Sequence, residues 1–180
     1  LILHTFSIIY LISLKKMIKI QRDILRDNPD NYTVIIFETT DEVNSMLDIL
    51  DNSFNVKTIN DYTGSKEADL IMDQFFKKDI NTVIAVYSKI SRFIKSLLDD
   101  KSVFVMNNCN EPLVTNNGNC VNFNCKSKSK SNKPISSTFN LYGNQSNINS
   151  LKFSYVPNAQ DFVYINPEKI HPAPLIYPIW

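Results

Sequence analysis

Glycine is nearly missing from this chain of 180 residues: only Gly64, Gly118 and Gly143 occur. Three scattered glycines cannot build a glycine-rich phosphate loop of either common pattern, which excludes the usual nucleotide cradles. Cysteine is equally scarce and odd in number. Cys109, Cys120 and Cys125 form no C-x-x-C pair, so free thiols are expected rather than a disulfide framework. The only histidines, His4 and His171, stand at opposite ends and offer no spacing for a Cys/His zinc site or a Cys–His nucleophile pair. There is no G-x-S-x-G elbow. The adjacent acids Asp41–Glu42 and Asp99–Asp100 do not face one another on a helix or strand, so no catalytic dyad is supported. No sign of charge dominates either: 19 Lys+Arg face 18 Asp+Glu, a formal +1. No global field therefore advertises a polyanionic partner.

A spanning apolar run is also lacking. The opening LILHTFSIIYLISL is strongly apolar, but it falls short of the roughly 18–20 residues a transmembrane helix needs. Its positive charges, Lys15 and Lys16, follow rather than precede it, unlike a signal peptide. A core strand or helix is the expectation for residues 1–16. A truncated anchor or targeting piece, or translated sequence ahead of Met17, are the alternatives. A membrane is not an expected partner.

What is present divides unevenly. Residues 1–100 carry a net −3 and residues 101–180 a net +4. Four segments are expected: the apolar 1–16, an α/β core over 17–106, an Asn/Lys/Ser-rich loop or extension over 107–150, and a Pro/aromatic arm over 151–180. In that arm Pro157, Pro167, Pro172, Pro174 and Pro178 forbid a helix, so it is expected to lie extended on this domain or on a partner. Within the core, YTVIIFETT (Tyr32 to Thr40), NTVIAVY and KSVFVM read as strands, and FNVKTI as another. DYTG reads as a turn, and DEVNSMLDIL is ambiguous between helix and strand. Ala68, Ile71, Met72, Phe75 and Phe76 recur at helical spacing after a candidate N-cap, Ser65, and SRFIKSLLDD repeats the pattern. The fold class is therefore α/β: a small mixed sheet with two helices packed on it, then an irregular basic segment and the Pro-rich arm.

Cations on short connections are the sharpest chemical signal. Lys89 and Arg92 follow a strand and open a helix, Asn117–Gly118 forms a turn, and CKSKSKSNK spaces lysines beyond it. Helix N-terminal amides and point charges hold phosphate without reading sequence, and Asn-Gly permits close main-chain approach.

Two resemblances bear on this. The order VIIF, then Thr63–Gly64, then TVIAV is similar to the second motor domain of superfamily-two helicases, in strand order only; the Q-x-x-G-R-x-x-R arginine motif is absent. NYTVIIFETTD, TGSKEADLIMDQFFKK, NTVIAVYSK, SRFIKSLL, KSVFVMNN and NEPLVTNNGNCVNFNCKSKSK together resemble, over about Asn31–Lys130, the small-subunit ribosomal platform proteins of the S-eleven family in divergent form. The family's glycines between Lys89 and Arg92 are missing, Thr115–Asn116 replaces its Pro-His, and its Arg-Pro-Pro-Lys is lost. That resemblance implies a structural, non-enzymatic, ribosomal-RNA-binding component of a mitochondrial small ribosomal subunit. It implies other ribosomal proteins as neighbours, no cofactor and no small-molecule substrate. Lys66, Lys89, Arg92, Lys95, Lys126, Lys128 and Lys130 would contact phosphate, and Asn117 and Gly118 would bring main chain against RNA. The competing expectations are a viral or cellular interaction protein with an α/β core, and a degenerate helicase motor remnant. Strand order separates them. Two leading antiparallel strands before the long helix favour the ribosomal family, whereas a helix at Asp41–Leu50 between parallel strands favours a motor-like or doubly wound domain.

Overall fold

The computed structural model describes residues 2–50, 52, 54–111, 113, 119–128, 134–152, 162–164 and 171–172. The chain opens with α1 (Ile2–Asp27), so the apolar N-terminal segment and the first residues of the core form one continuous helix. Met17, Ile18, Ile20, Ile24 and Leu25 bury its packed face. The helix stops at Asn28–Pro29, where the residue before proline is driven out of the helical region, and Asn28 Nδ2 closes the end by donating to the Ile24 carbonyl at 2.8 Å.

Then come β1 (Tyr32–Phe37), α2 (Thr40–Ile49), β2 (Val56–Ile59), α3 (Ser65–Phe76) and β3 (Thr82–Val86). After β3 the chain winds through α4 (Tyr87–Ile90), a 3₁₀ turn (Ser91–Phe93) and α5 (Ile94–Asp99) into β4 (Val103–Asn107). A hairpin follows, β5 (Asn119–Lys128) and β6 (Pro134–Gly143), then α6 (Gln145–Asn149) and the short strands β7 (Phe162–Tyr164) and β8 (His171–Pro172). One mixed sheet holds them in the order β2-β3-β1-β4-β6-β5-β7, with β8 also on β5. Strands β2, β3, β1 and β4 are mutually parallel; the hairpin adds antiparallel strands.

The α/β class and the mixed sheet expected from the sequence are present. The strands read as unbroken apolar runs because both sheet faces are covered. Ile35, Phe37, Ile84, Val86, Phe104 and Met106 face α1 and α2. Val34, Ile36, Val83, Ala85, Val103 and Val105 face α3 to α5. The ambiguous DEVNSMLDIL is helical. Thr39 and Glu42 cap it reciprocally, Glu42 N donating to Thr39 Oγ1 at 3.3 Å and Thr39 N to Glu42 Oε1 at 3.1 Å.

Three expectations are corrected. Helices α1 and α2 cover one face while α3 and the α4–α5 segment cover the other, so more than two helices pack on the sheet. Within 107–150, the described residues Asn119–Lys128 and Pro134–Gly143 are paired strands rather than an irregular extension, because Val121, Phe123, Phe139 and Leu141 are buried in the sheet. Lastly, Gly64 rather than Ser65 is the N-cap of α3, and it provides no side-chain hydrogen bond. The Pro-rich arm contributes β7 and β8 to this domain's own sheet, and Leu151 and Lys152 at its start lie against α1 and the core; the rest of it lies outside the described residues. No helix among the described residues is long and apolar enough to cross a membrane.

Candidate nucleic-acid interface

Parallel α/β sheets present their loops and helix starts at the carboxyl ends of the strands, and ligands gather there. Over β2 and β3 that edge is built from the β2–α3 turn and from α4. The turn is fixed by its own polar side chains. Asn60 N donates to Thr63 Oγ1 at 3.0 Å, and Tyr62 N donates to Asn60 Oδ1 at 2.8 Å. Thr40 Oγ1, at the start of α2, donates to Asp61 Oδ2 at 2.8 Å and pins the turn from the side. So held, the turn thrusts Tyr62 into solvent, 89% exposed. Gly64 then opens α3 without a side-chain cap, leaving first-turn amides and the positive end of the helix dipole to solvent.

Charges of both signs surround this helix start, with exposed Asp61 in the preceding turn and Glu67 in the first turn beside the cations. Lys66 is exposed on its first turn, and Lys89, half-buried, lies in α4. Arg92 crosses from the 3₁₀ turn to α3, donating through Nη2 to the Ser65 carbonyl at 3.1 Å and pairing through Nη1 with Asp69 at 2.6 Å. Both partners of that pair are about half exposed, 48% and 54%. An exposed pair of this kind is worth about 0–1 kcal/mol, so a phosphate can take Asp69's place at little cost. Tyr87, the first residue of α4, adds a second exposed aromatic ring. Exposed aromatic faces and point charges are among the parts with which proteins hold single-stranded nucleic acid: rings stack on bases and cations track phosphates.

The neighbouring part of the same edge has the opposite character. Beyond β1 and β4 the buried Cys109 thiol is pushed well above its usual range, first by burial and then by Glu38, Glu42 and Glu111. Glu42 also accepts a 2.7 Å hydrogen bond from Tyr10 of α1, whose own hydroxyl is driven upward by burial and by that carboxylate. A phosphate approaching β1 and β4 meets negative charge. On the far side of this acidic stretch the hairpin runs past β4, which pairs only with Asn140–Tyr142. The remaining residues, Pro134–Phe139 with Phe123–Lys128, extend roughly 20 Å at the rise of a strand.

The predicted set is therefore divided. Arg92 reaches the start of α3, where Lys66 stands on the first turn; Lys89 lies in α4 after β3, and Lys95 is exposed on α5. Lys126 and Lys128 lie on β5 beyond the acidic stretch, and Asn117, Gly118 and Lys130 fall outside the described residues. Sequence reasoning missed Tyr62 and Tyr87. The signal for Tyr62 was an aromatic inside the D-Y-T-G turn, a position that cannot bury it. The Cys120 thiol, inside the sheet on β5, is pushed up to about 12 by burial and stays protonated at neutral pH. Among the described residues no cluster of His, Cys, Asp and Glu could hold a metal ion. Searches of protein-family models, of curated proteins and of solved structures each return no significant match to this chain.

Proposed function

We propose that this chain is a non-enzymatic module that holds single-stranded nucleic acid at the carboxyl ends of β2 and β3, on a doubly wound domain of the helicase-motor type that has lost its triphosphate chemistry. The observation that carries the reading is topological. Helix α2 lies between β1 and β2, and all four leading strands are parallel, the arrangement that favours a motor-like domain over the ribosomal one. The same winding delivers Tyr62, Lys66, Lys89 and Arg92 to one edge. The arginine motif that would touch a triphosphate has no counterpart among Arg22, Arg26 and Arg92, which supports binding without hydrolysis.

The narrower reading, a ribosomal-RNA-binding component of a mitochondrial small subunit with ribosomal proteins as neighbours, rests on the same cations. It is weakened by the parallel β1–β2 arrangement and by the acidic stretch between its two groups of lysines. Sedimentation with ribosomal particles at low and high salt separates the two. The proposal itself is tested by fluorescence anisotropy with a labelled single-stranded oligonucleotide. Tyr62→Ala, which removes a stacking ring, is expected to weaken binding about tenfold. Equal affinities for wild type and Tyr62→Ala, with Lys66→Gln also neutral, refute the site.

A further inference from the structure

Three neighbouring strands each begin one residue after an asparagine. Asn31 precedes β1, Asn55 precedes β2 and Asn81 precedes β3. The sheet order sets them in the row Asn55, Asn81, Asn31 along the amino edge, opposite the interface described above. A cleft of about 300 Å³ opens there, lined by these residues together with Arg26, Asn28 and Phe54. That volume is at the lower end of the range for small-ligand sites.

The side chains differ in what they have left to offer. Asn28 is consumed: its Nδ2 donates to the Ile24 and Lys152 carbonyls at 2.8 and 2.9 Å, and its Oδ1 accepts from Lys152 N at 2.8 Å. Asn55 Nδ2 donates to the Asp79 carbonyl at 3.2 Å. The half-buried carboxamides of Asn31 and Asn81 make no hydrogen bond to another described residue. Arg26 is 55% exposed and reaches Asp23 at 3.5 Å, a loose surface pair. Asparagine at a strand entry is ordinary turn chemistry. Two carboxamides left without a partner among the described residues, in a cleft beside an aromatic ring and a guanidinium, are not explained by turns.

A carboxamide presents a donor and an acceptor side by side. Its planar complement is an edge with an acceptor next to a donor, which adenine offers at N7 and N6. We infer that this cleft takes an adenine base, read edge-on by Asn81 and Asn31, with Arg26 on the attached phosphate. The inference does not rest on the proposed nucleic-acid surface, which lies at the other end of the strands. Two sources supply this chemistry: a free adenosine nucleotide, or an unpaired adenine of a strand.

The test is an NMR titration of the full chain with adenosine monophosphate, ribose 5-phosphate and a short oligoadenylate in turn. Adenosine monophosphate is expected to shift the Asn31 and Asn81 side-chain amide resonances saturably. Ribose 5-phosphate should bind about tenfold more weakly, because the base supplies the recognition. Asn31→Ala with Asn81→Ala should cost a similar factor while the backbone resonances of β1 and β3 stay in place. Should that double variant fail to fold, Asn81→Asp keeps the side chain's size, removes its donor and should show the same loss. Oligoadenylate binding that is tighter and lost in the same variants assigns the site to a strand; binding of the mononucleotide alone assigns it to a free nucleotide. Equal affinity for adenosine monophosphate and ribose 5-phosphate, shifts confined to other surfaces, or variants that bind like wild type overturn the inference.

Discussion

Replacing Tyr142 by phenylalanine isolates one oxygen atom at the junction of the parallel sheet and the hairpin. The ring is 1% exposed, on the β6 face that also bears Asn140. Its hydroxyl accepts from Leu113 N at 2.9 Å and also bonds to the side chains of Cys120 and Asn107. Leu113 follows β4 in the chain and is itself 3% exposed. Tyr142→Phe keeps the ring and its packing, so the hydrophobic contribution is nearly unchanged. What is lost is the acceptor for the buried Leu113 amide together with the contacts to Cys120 and Asn107; the amide without a partner costs about 1–3 kcal/mol and sets the scale. At this chain length each kcal/mol moves the melting temperature by about 2–4 °C, so a fall of roughly 2–12 °C is expected. Urea unfolding measures the free energy, and hydrogen exchange at the Leu113 amide locates it. Exchange there should accelerate strongly while amides of β1 and β3 respond only to the global change. A loss below about 0.5 kcal/mol with Leu113 exchange unchanged refutes the reasoning, because water or another acceptor would then be satisfying that amide.

Gly143→Ala should destabilise by about 1–3 kcal/mol, since an added Cβ would meet Phe104 Cδ1 at 2.9 Å and Ile148 Cγ1 at 3.4 Å; thermal unfolding checks it. Thr39→Ala removes one half of the α2 capping box and should cost about 1 kcal/mol, read by denaturant midpoint. Alkaline pH should destabilise the chain. With Cys120 raised by burial to about 12, the unfolded thiol sheds its proton before the folded one. Its contribution is complete below the ordinary thiol range and declines by about 1.4 kcal/mol per pH unit above it, until the folded group also titrates. Stability curves at pH 8, 10 and 11 against Cys120→Ala measure this, and parallel curves for the two proteins contradict it.

The parts of the fold legible in the sequence were those with dense local signals. The runs VIIF, TVIAV and VFVM announce strands buried on both faces, and Ala68, Ile71, Met72 and Phe75 announce the inner face of α3. Helix α2 was ambiguous because its apolar residues are few among Asp, Asn and Ser; the decisive signal was Thr39 with Glu42 three positions on, a capping box. The hairpin was obscured by composition. Asn, Lys and Ser have low strand preference, yet Val121 and Phe123 alternate with polar residues, and Phe123 stacks on Phe139 at 4.6 Å across the pair. That contact joins two segments neither of which reads as a strand alone. At the interface the cations could be named, but their grouping could not. Arg92 reaches α3 because the 3₁₀ turn after α4 lies on the same face as α3, and the acidic side of the edge arises because Glu38 after β1, Glu42 in α2 and Glu111 after β4 converge on Cys109. Sequence distance carries neither fact.

The central claim, that cations around the start of α3 grip a phosphate backbone, is tested most directly by salt. The affinity of the full chain for a short single-stranded oligonucleotide should be measured from 50 to 200 mM salt, for wild type and for Lys66→Gln with Lys89→Gln. Each phosphate contact contributes about 0.7 to the slope of log affinity against log salt on a single strand. The double variant should therefore show a slope shallower by about 1.4 and weaker binding to every sequence tried. Identical slopes for the two proteins, or no binding by wild type at the lowest salt, contradict the claim.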